Sequence, residues 1–107
     1  NASFLHFPYA VPYDKNFDRF KKHKSGLYHG ASLLAFNKIF NKYGYYLVKE
    51  IGGVNAFFCN KKIIKKNNLK ILKSLTAYNE GEIRNKIYKK SANKQFEEIK
   101  NLKFIKV

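Results

Sequence analysis

The chain has 107 residues, and 22 Lys plus Arg against 7 Asp plus Glu leave a net charge of +15. That length fits one small domain or a piece of a larger one. A single cysteine excludes an internal disulfide and a cysteine-built zinc cluster, the apolar runs are too short to span a bilayer, and no segment has the form of a signal peptide. A cytoplasmic location without a membrane partner is the expectation from these exclusions.

Residues 1–30 form an aromatic, irregular stretch. Phe4, Phe7, Tyr9, Tyr13, Phe17 and Phe20 keep no helix or strand period, and Pro8 and Pro12 favour extended geometry before them. The reading is a long loop with one short helical turn within 15–22. Residues 31–43 form a helix: Leu33, Phe36, Phe40 and Tyr43 recur on one face, with Asn37, Lys38, Asn41 and Lys42 on the other. Gly44 stands where a left-handed cap belongs.

Residues 45–60 read as a β-hairpin. Tyr45, Leu47 and Ile51 are expected on one face of the first strand, Tyr46 and Val48 on the other, with Lys49 and Glu50 suiting an edge. Gly52-Gly53 supplies the turn. The return strand alternates Val54, Ala56 and Phe58 with Asn55, Phe57 and Cys59. Both sets are largely apolar, which predicts an interior strand covered on both sides. Such a hairpin needs further strands to complete its sheet.

The next thirty residues, 61–90, are basic. They read as a solvent-facing connector with short helical turns, and 80–90 has helical character. Residues 92–101 predict a short helix burying Phe96 and Ile99, and 102–107 an extended tail or strand. The whole is taken as a single partial domain: an aromatic loop (1–30), a helix plus hairpin (31–60), then a basic connector and C-terminal helix (61–107).

A family pattern runs through these elements. Tyr28-His29-Gly30-Ala31-Ser32-Leu33, then Lys42-Tyr43-Gly44-Tyr45-Tyr46-Leu47-Val48, then Gly53-Val54-Asn55-Ala56-Phe57-Phe58 resembles the C-terminal part of class I S-adenosylmethionine-dependent methyltransferase-like proteins, in or near the FkbM-type group. Val11-Pro12-Tyr13-Asp14 with Phe17 is similar to the family's loop before the helix. Gln95-Phe96-Glu97-Glu98-Ile99 is similar to its closing helix. The pattern departs at Tyr43, inserted before Gly44. The resemblance covers nearly the whole chain, and its weight lies in order and spacing rather than in one motif.

The resemblance implies an α/β fold, the C-terminal part of a Rossmann-like methyltransferase architecture, or α+β if the chain is taken alone. It implies S-adenosylmethionine for the parent protein and a small-molecule or glycan acceptor. The family holds that cofactor through a Gly-rich loop after its first strand and an acidic residue ending its second. Neither occurs in this sequence, so no cofactor-binding residue is expected in the chain, which by itself would be inactive. The absence of Met fits a piece of a larger fold, with Asn1-Ala2 read as native or as the remnant of a cleaved tag. A homo-oligomer, or association with a missing N-terminal half, would complete the sheet.

The candidate substrate-binding residues are Tyr13, Asp14, Tyr28, His29 and Asn55. Tyr13 and Asp14 lie on the loop that would approach the C-terminal ends of the strands, where open α/β sheets bind ligands. The competing reading of Asp14 is an Asx turn. His29, beside Tyr28 at the helix start, reads as a base or anion contact, or as a residue of the capping region. Asn55 interrupts an apolar strand and either satisfies a backbone group or faces the cleft. Ser32 reads as a helix cap and Cys59 as a core residue. His6, His23 and His29 lack metal-ligand spacing, so no metal site is expected.

The charge admits a rival reading, a noncatalytic basic module for nucleic acid or an acidic partner. Nearly all of it is lysine, 20 against Arg19 and Arg84 alone, and nucleic-acid readers favour arginine for bidentate contacts. Lys, Asn, Phe, Tyr and Ile all have A/T-rich codons, so genome bias alone produces much of this profile. The charge divides as +5 over residues 1–53 and +10 over 54–107, mostly outside the segments that carry the resemblance. Nucleic acid is therefore not the favoured partner.

Overall fold

The computed structural model describes residues 7–51, 55–73 and 91–107. Its elements, in chain order, are β1 (Tyr9–Ala10), α1 (Arg19–Lys22), α2 (Leu33–Lys42), β2 (Tyr45–Ile51), β3 (Asn55–Asn60), α3 (Lys61–Lys66), α4 (Ala92–Ile99) and β4 (Ile105–Lys106). Helices mix with two small antiparallel sheets, β1 with β4 and β2 with β3. This is α+β architecture, as expected for the chain taken alone. The Gly52-Gly53 turn and the helical character of 80–90 lie outside the described residues.

Each helix begins where a short polar side chain can accept a backbone N–H. Asp18 accepts from Phe20 and Lys21 at the start of α1. Ser32 accepts from Ala35 at the start of α2, Asn60 from Ile63 at the start of α3, and Ser91 from Lys94 at the start of α4. At the end of α2, Gly44 takes φ +81°, the left-handed conformation anticipated there. The predicted helix at 31–43 is thus found as α2.

The hairpin pairs Tyr45 with Asn60 and Leu47 with Phe58, but a bulge between Leu47 and Lys49 sets Lys49 opposite Phe57 and Ile51 opposite Asn55. The extra residue shifts the alternation by one. Leu47 is fully buried, whereas Ile51 crosses to the face of Phe57 and is exposed. The expectation that Tyr45, Leu47 and Ile51 share a face is corrected at Ile51.

Within the described residues β3 does not take the interior role expected of it. Among the described residues β3 pairs only with β2, and Asn55, Ala56 and Phe57 are exposed. Its apolar pattern has cover where α2 packs: the Phe40 and Phe58 rings stack at 4.4 Å, and Tyr45 meets Phe40 edge-on. The opposite edge of β2 is occupied, since Leu72 donates its N–H to the Leu47 carbonyl at 2.8 Å.

The second packing centre joins residues 7–28 to residues 96–104. Leu27, Tyr28 and Ile99 are buried together, with Val11, Phe96, Leu102 and Phe104 against them. Phe7 stacks on Tyr9 and on Phe96, and Tyr9 stacks on Phe104. Phe7, Tyr9, Phe96 and Phe104, with Tyr28 edge-on to Phe104, therefore form one contiguous cluster, an arrangement favoured by offset and edge-to-face geometry. β1 lies between β4 and the segment before α2: Ala10 bridges Ala31, Ser32 donates to the Tyr9 carbonyl, and Val107 donates to the Pro8 carbonyl. This narrow ladder fixes the loop at 11–30 against the C-terminal residues.

Candidate functional site

The loop leaving β1 and the turn before β4 enclose an open cavity of about 380 Å³. Residues 11–14, Lys22, Leu102 and Lys103 line it. Tyr28 lines it as well, held in place by its hydroxyl, which donates to the Lys103 carbonyl, and by an edge-on contact with Phe104. Burial raises the Tyr28 phenol above its ordinary pKa, a shift that the nearby Lys22 charge opposes. The phenol thus remains a neutral donor.

At the rim, Asp14 and Lys22 form an ion pair of 2.8 Å. The Lys22 ammonium hydrogen bond lowers the Asp14 carboxyl below its ordinary value, and the Asn16 N–H, donating at 2.9 Å, lowers it further. Asp14 thus makes the Asx turn and also lines the cavity. Tyr13 is 90% exposed, so its ring stands free beside that carboxylate. The arrangement offers an aromatic face, a carboxylate acceptor and an ammonium donor around one opening.

The structure brings Tyr13, Asp14 and Tyr28 to this cavity but not His29 or Asn55. Arg19 Nη1 lies 3.3 Å from His29 Nε2, a contact in which the guanidinium donates and the imidazole nitrogen accepts. That nitrogen is engaged by a cation, which argues against its use as a substrate-facing base. Asn55 begins β3 opposite Ile51, exposed at the hairpin end. Lys22 and Lys103 join the cavity without having been singled out from the sequence. Lys22 was one lysine among several, and its partnership with Asp14, eight positions earlier, has no local signature.

S-adenosylmethionine, implied by the resemblance, does not fit the residues present. Among the described residues no strand runs into a helix through a Gly-rich turn: β1 continues into Val11-Pro12-Tyr13, and β3 continues directly into α3. The described residues hold no cluster of three or more His, Cys, Asp or Glu side chains that suits a metal ion. In comparisons with known proteins, no family model, no curated protein and no solved structure matches the chain.

Proposed function

We propose that the chain is the acceptor-side, C-terminal segment of a class I methyltransferase-like protein, and that the cavity beside Tyr13 receives a small hydroxyl-bearing or glycan-type acceptor. The observation that carries this reading is the gathering of Tyr13, Asp14 and Tyr28 around one opening. The order of α2, β2 and β3, with the outer edge of β3 unpaired among the described residues, supports it too. A pyranose presents one apolar face and a ring of hydroxyls. Tyr13 suits the face, Asp14 accepts from hydroxyls, and Lys22 donates to oxygen. The methyl donor would be held by residues outside this chain.

Saturation-transfer NMR with a panel of methyl glycosides tests the cavity. Transfer to at least one glycoside, lost in Tyr13→Ala, is the expected result; no transfer from any member counts against an acceptor site there. Calorimetry of the chain with S-adenosylmethionine should give no heat of binding, and clear binding would refute the division of labour. For the parent, a strand followed by a Gly-rich loop and a helix is expected in the upstream coding sequence. A native start immediately before Ser3 would remove the enzyme reading.

A second reading has its own observation. Tyr13, Phe17 and Phe20 are exposed among Lys21, Lys22 and Lys24, and the Arg19 guanidinium lies 4.9 Å from the Phe20 ring centroid. Exposed rings among cations suit stacked single-stranded bases. Titration of labelled single-stranded RNA at two salt concentrations decides it: micromolar binding that weakens with salt favours it, and no binding rules it out.

A further inference from the structure

Residues 61–71 carry Lys61, Lys62, Lys65, Lys66 and Lys70, all exposed, with no acidic residue among them. Interleaved with these, Ile63, Leu69 and Ile71 are 45%, 39% and 44% exposed. The segment is held at both ends. Asn60 Oδ1 accepts from Ile63 N–H at 2.9 Å before α3. After it, Leu69 donates to the Ile64 carbonyl and Asn68 to the Lys65 carbonyl, with Asn68 at φ +51°. These two bonds are those of a Schellman cap. The Leu72 bond to Leu47 then ties the exit to β2. Ile64 is buried, so the opposite side of α3, carrying Lys62, Ile63 and Lys66, faces outward.

We propose that residues 61–71 form a docking surface for an anionic phospholipid bilayer, with the lysine ammonium groups at the headgroup phosphates and Ile63, Leu69 and Ile71 in the acyl boundary. The charge complementarity is one-sided: residues 61–71 carry five lysines and no acidic residue. The aliphatic residues select lipid over nucleic acid. Bases stack on aromatic rings and pair with arginine forks, and residues 61–71 contain neither an aromatic residue nor an arginine. Branched aliphatic side chains gain by leaving water for acyl chains, and lysine stems reach back to the phosphates. The contact is peripheral, since no helix among the described residues is long and apolar enough to cross a membrane. It goes beyond the expectation of no membrane partner, which rested on the length of the apolar runs.

Co-sedimentation of the chain with vesicles tests this, using pure phosphatidylcholine against phosphatidylcholine mixed with phosphatidylserine. Partition is expected only to the anionic vesicles and should fall as salt rises. At roughly fivefold per lysine, Lys62→Gln with Lys66→Gln should weaken it by roughly 25-fold. Ile63→Ser with Ile71→Ser should weaken it severalfold and leave the salt dependence in place. Circular dichroism of both variants should match the parent chain, because these side chains are exposed. No partition, equal partition to both vesicles, or full binding by the isoleucine variant overturns the proposal. So does tighter binding to polyuridylate that depends on the same two lysines.

Discussion

Ser32 shows how much one buried hydroxyl can hold. Its Oγ donates to the Phe7 carbonyl at 2.6 Å and accepts from the Ala35 N–H at 3.0 Å, while its own N–H donates to Tyr9. The residue has no exposed surface, so its hydroxyl depends on these two protein partners rather than on water. Ser32→Ala should cost about 1–2 kcal/mol, the upper range for a helix cap, because the Phe7 carbonyl also loses its donor. Urea denaturation would show the loss as a lower midpoint with an unchanged slope. A loss within error would mean that the hydroxyl is solvated. Asp14 offers a second test, in pH. Its folded pKa lies below its ordinary value of 3.8, by the Lys22 hydrogen bond first and the Asn16 N–H second. The order it gives the loop is therefore fully present above the unfolded pKa and is lost as pH falls through the folded one. Lys22→Gln should raise the carboxyl titration toward 3.8, measured by carbon NMR of the Asp14 side chain. An unmoved titration would show that the ion pair does not form in solution.

At the scale of elements, β3 carries the sharpest consequence. Its outer edge has no partner among the described residues, and Phe57 is 48% exposed on it. An apolar strand with an open edge is a template for another strand. The chain should self-associate at high micromolar concentration, and Phe57→Lys should shift it toward monomer in sedimentation velocity. Equal sedimentation of the two proteins would place any association elsewhere. The same strand shows where sequence reading stops. α2 was legible because its apolar face repeats within ten residues and a serine and a glycine mark its ends. The hairpin was legible from its alternation, but the bulge was not. One extra residue in β2 leaves no compositional mark, and it moved Ile51 to the other face. The apolar content of β3 predicts an interior strand, yet that content tells only that cover is wanted, not whether this chain supplies it. The cavity was half legible: Tyr13 and Asp14 came from their loop, whereas the Tyr28 bond to Lys103 spans 75 positions. No local pattern reports a contact of that separation. For the same reason, Leu27 and Tyr28 read as loop although they are buried with Ile99.

At the scale of the whole molecule, two effects of salt oppose each other, and their sizes decide the outcome. The net charge of +15 on 107 residues repels itself in the compact state more than in the expanded one. Salt relieves that repulsion. Salt also weakens ion pairs, but those at Asp14–Lys22 and Glu97–Lys100 have exposed or half-exposed partners, and such pairs contribute little to stability. The packing of the two aromatic centres is insensitive to screening. Raising NaCl from about 0.01 M to about 0.1 M shortens the screening length from about 30 Å to about 10 Å, less than the span of a domain this size. Repulsion between distant lysines then fades while close pairs persist. The melting temperature should therefore rise, by about 4–8 °C for each 1 kcal/mol recovered. Scanning calorimetry across that range checks the sign. A melting temperature that falls with salt would mean that attractive pairs outweigh the lysine excess, and that the positive surface is better matched by its few acids than the composition implies.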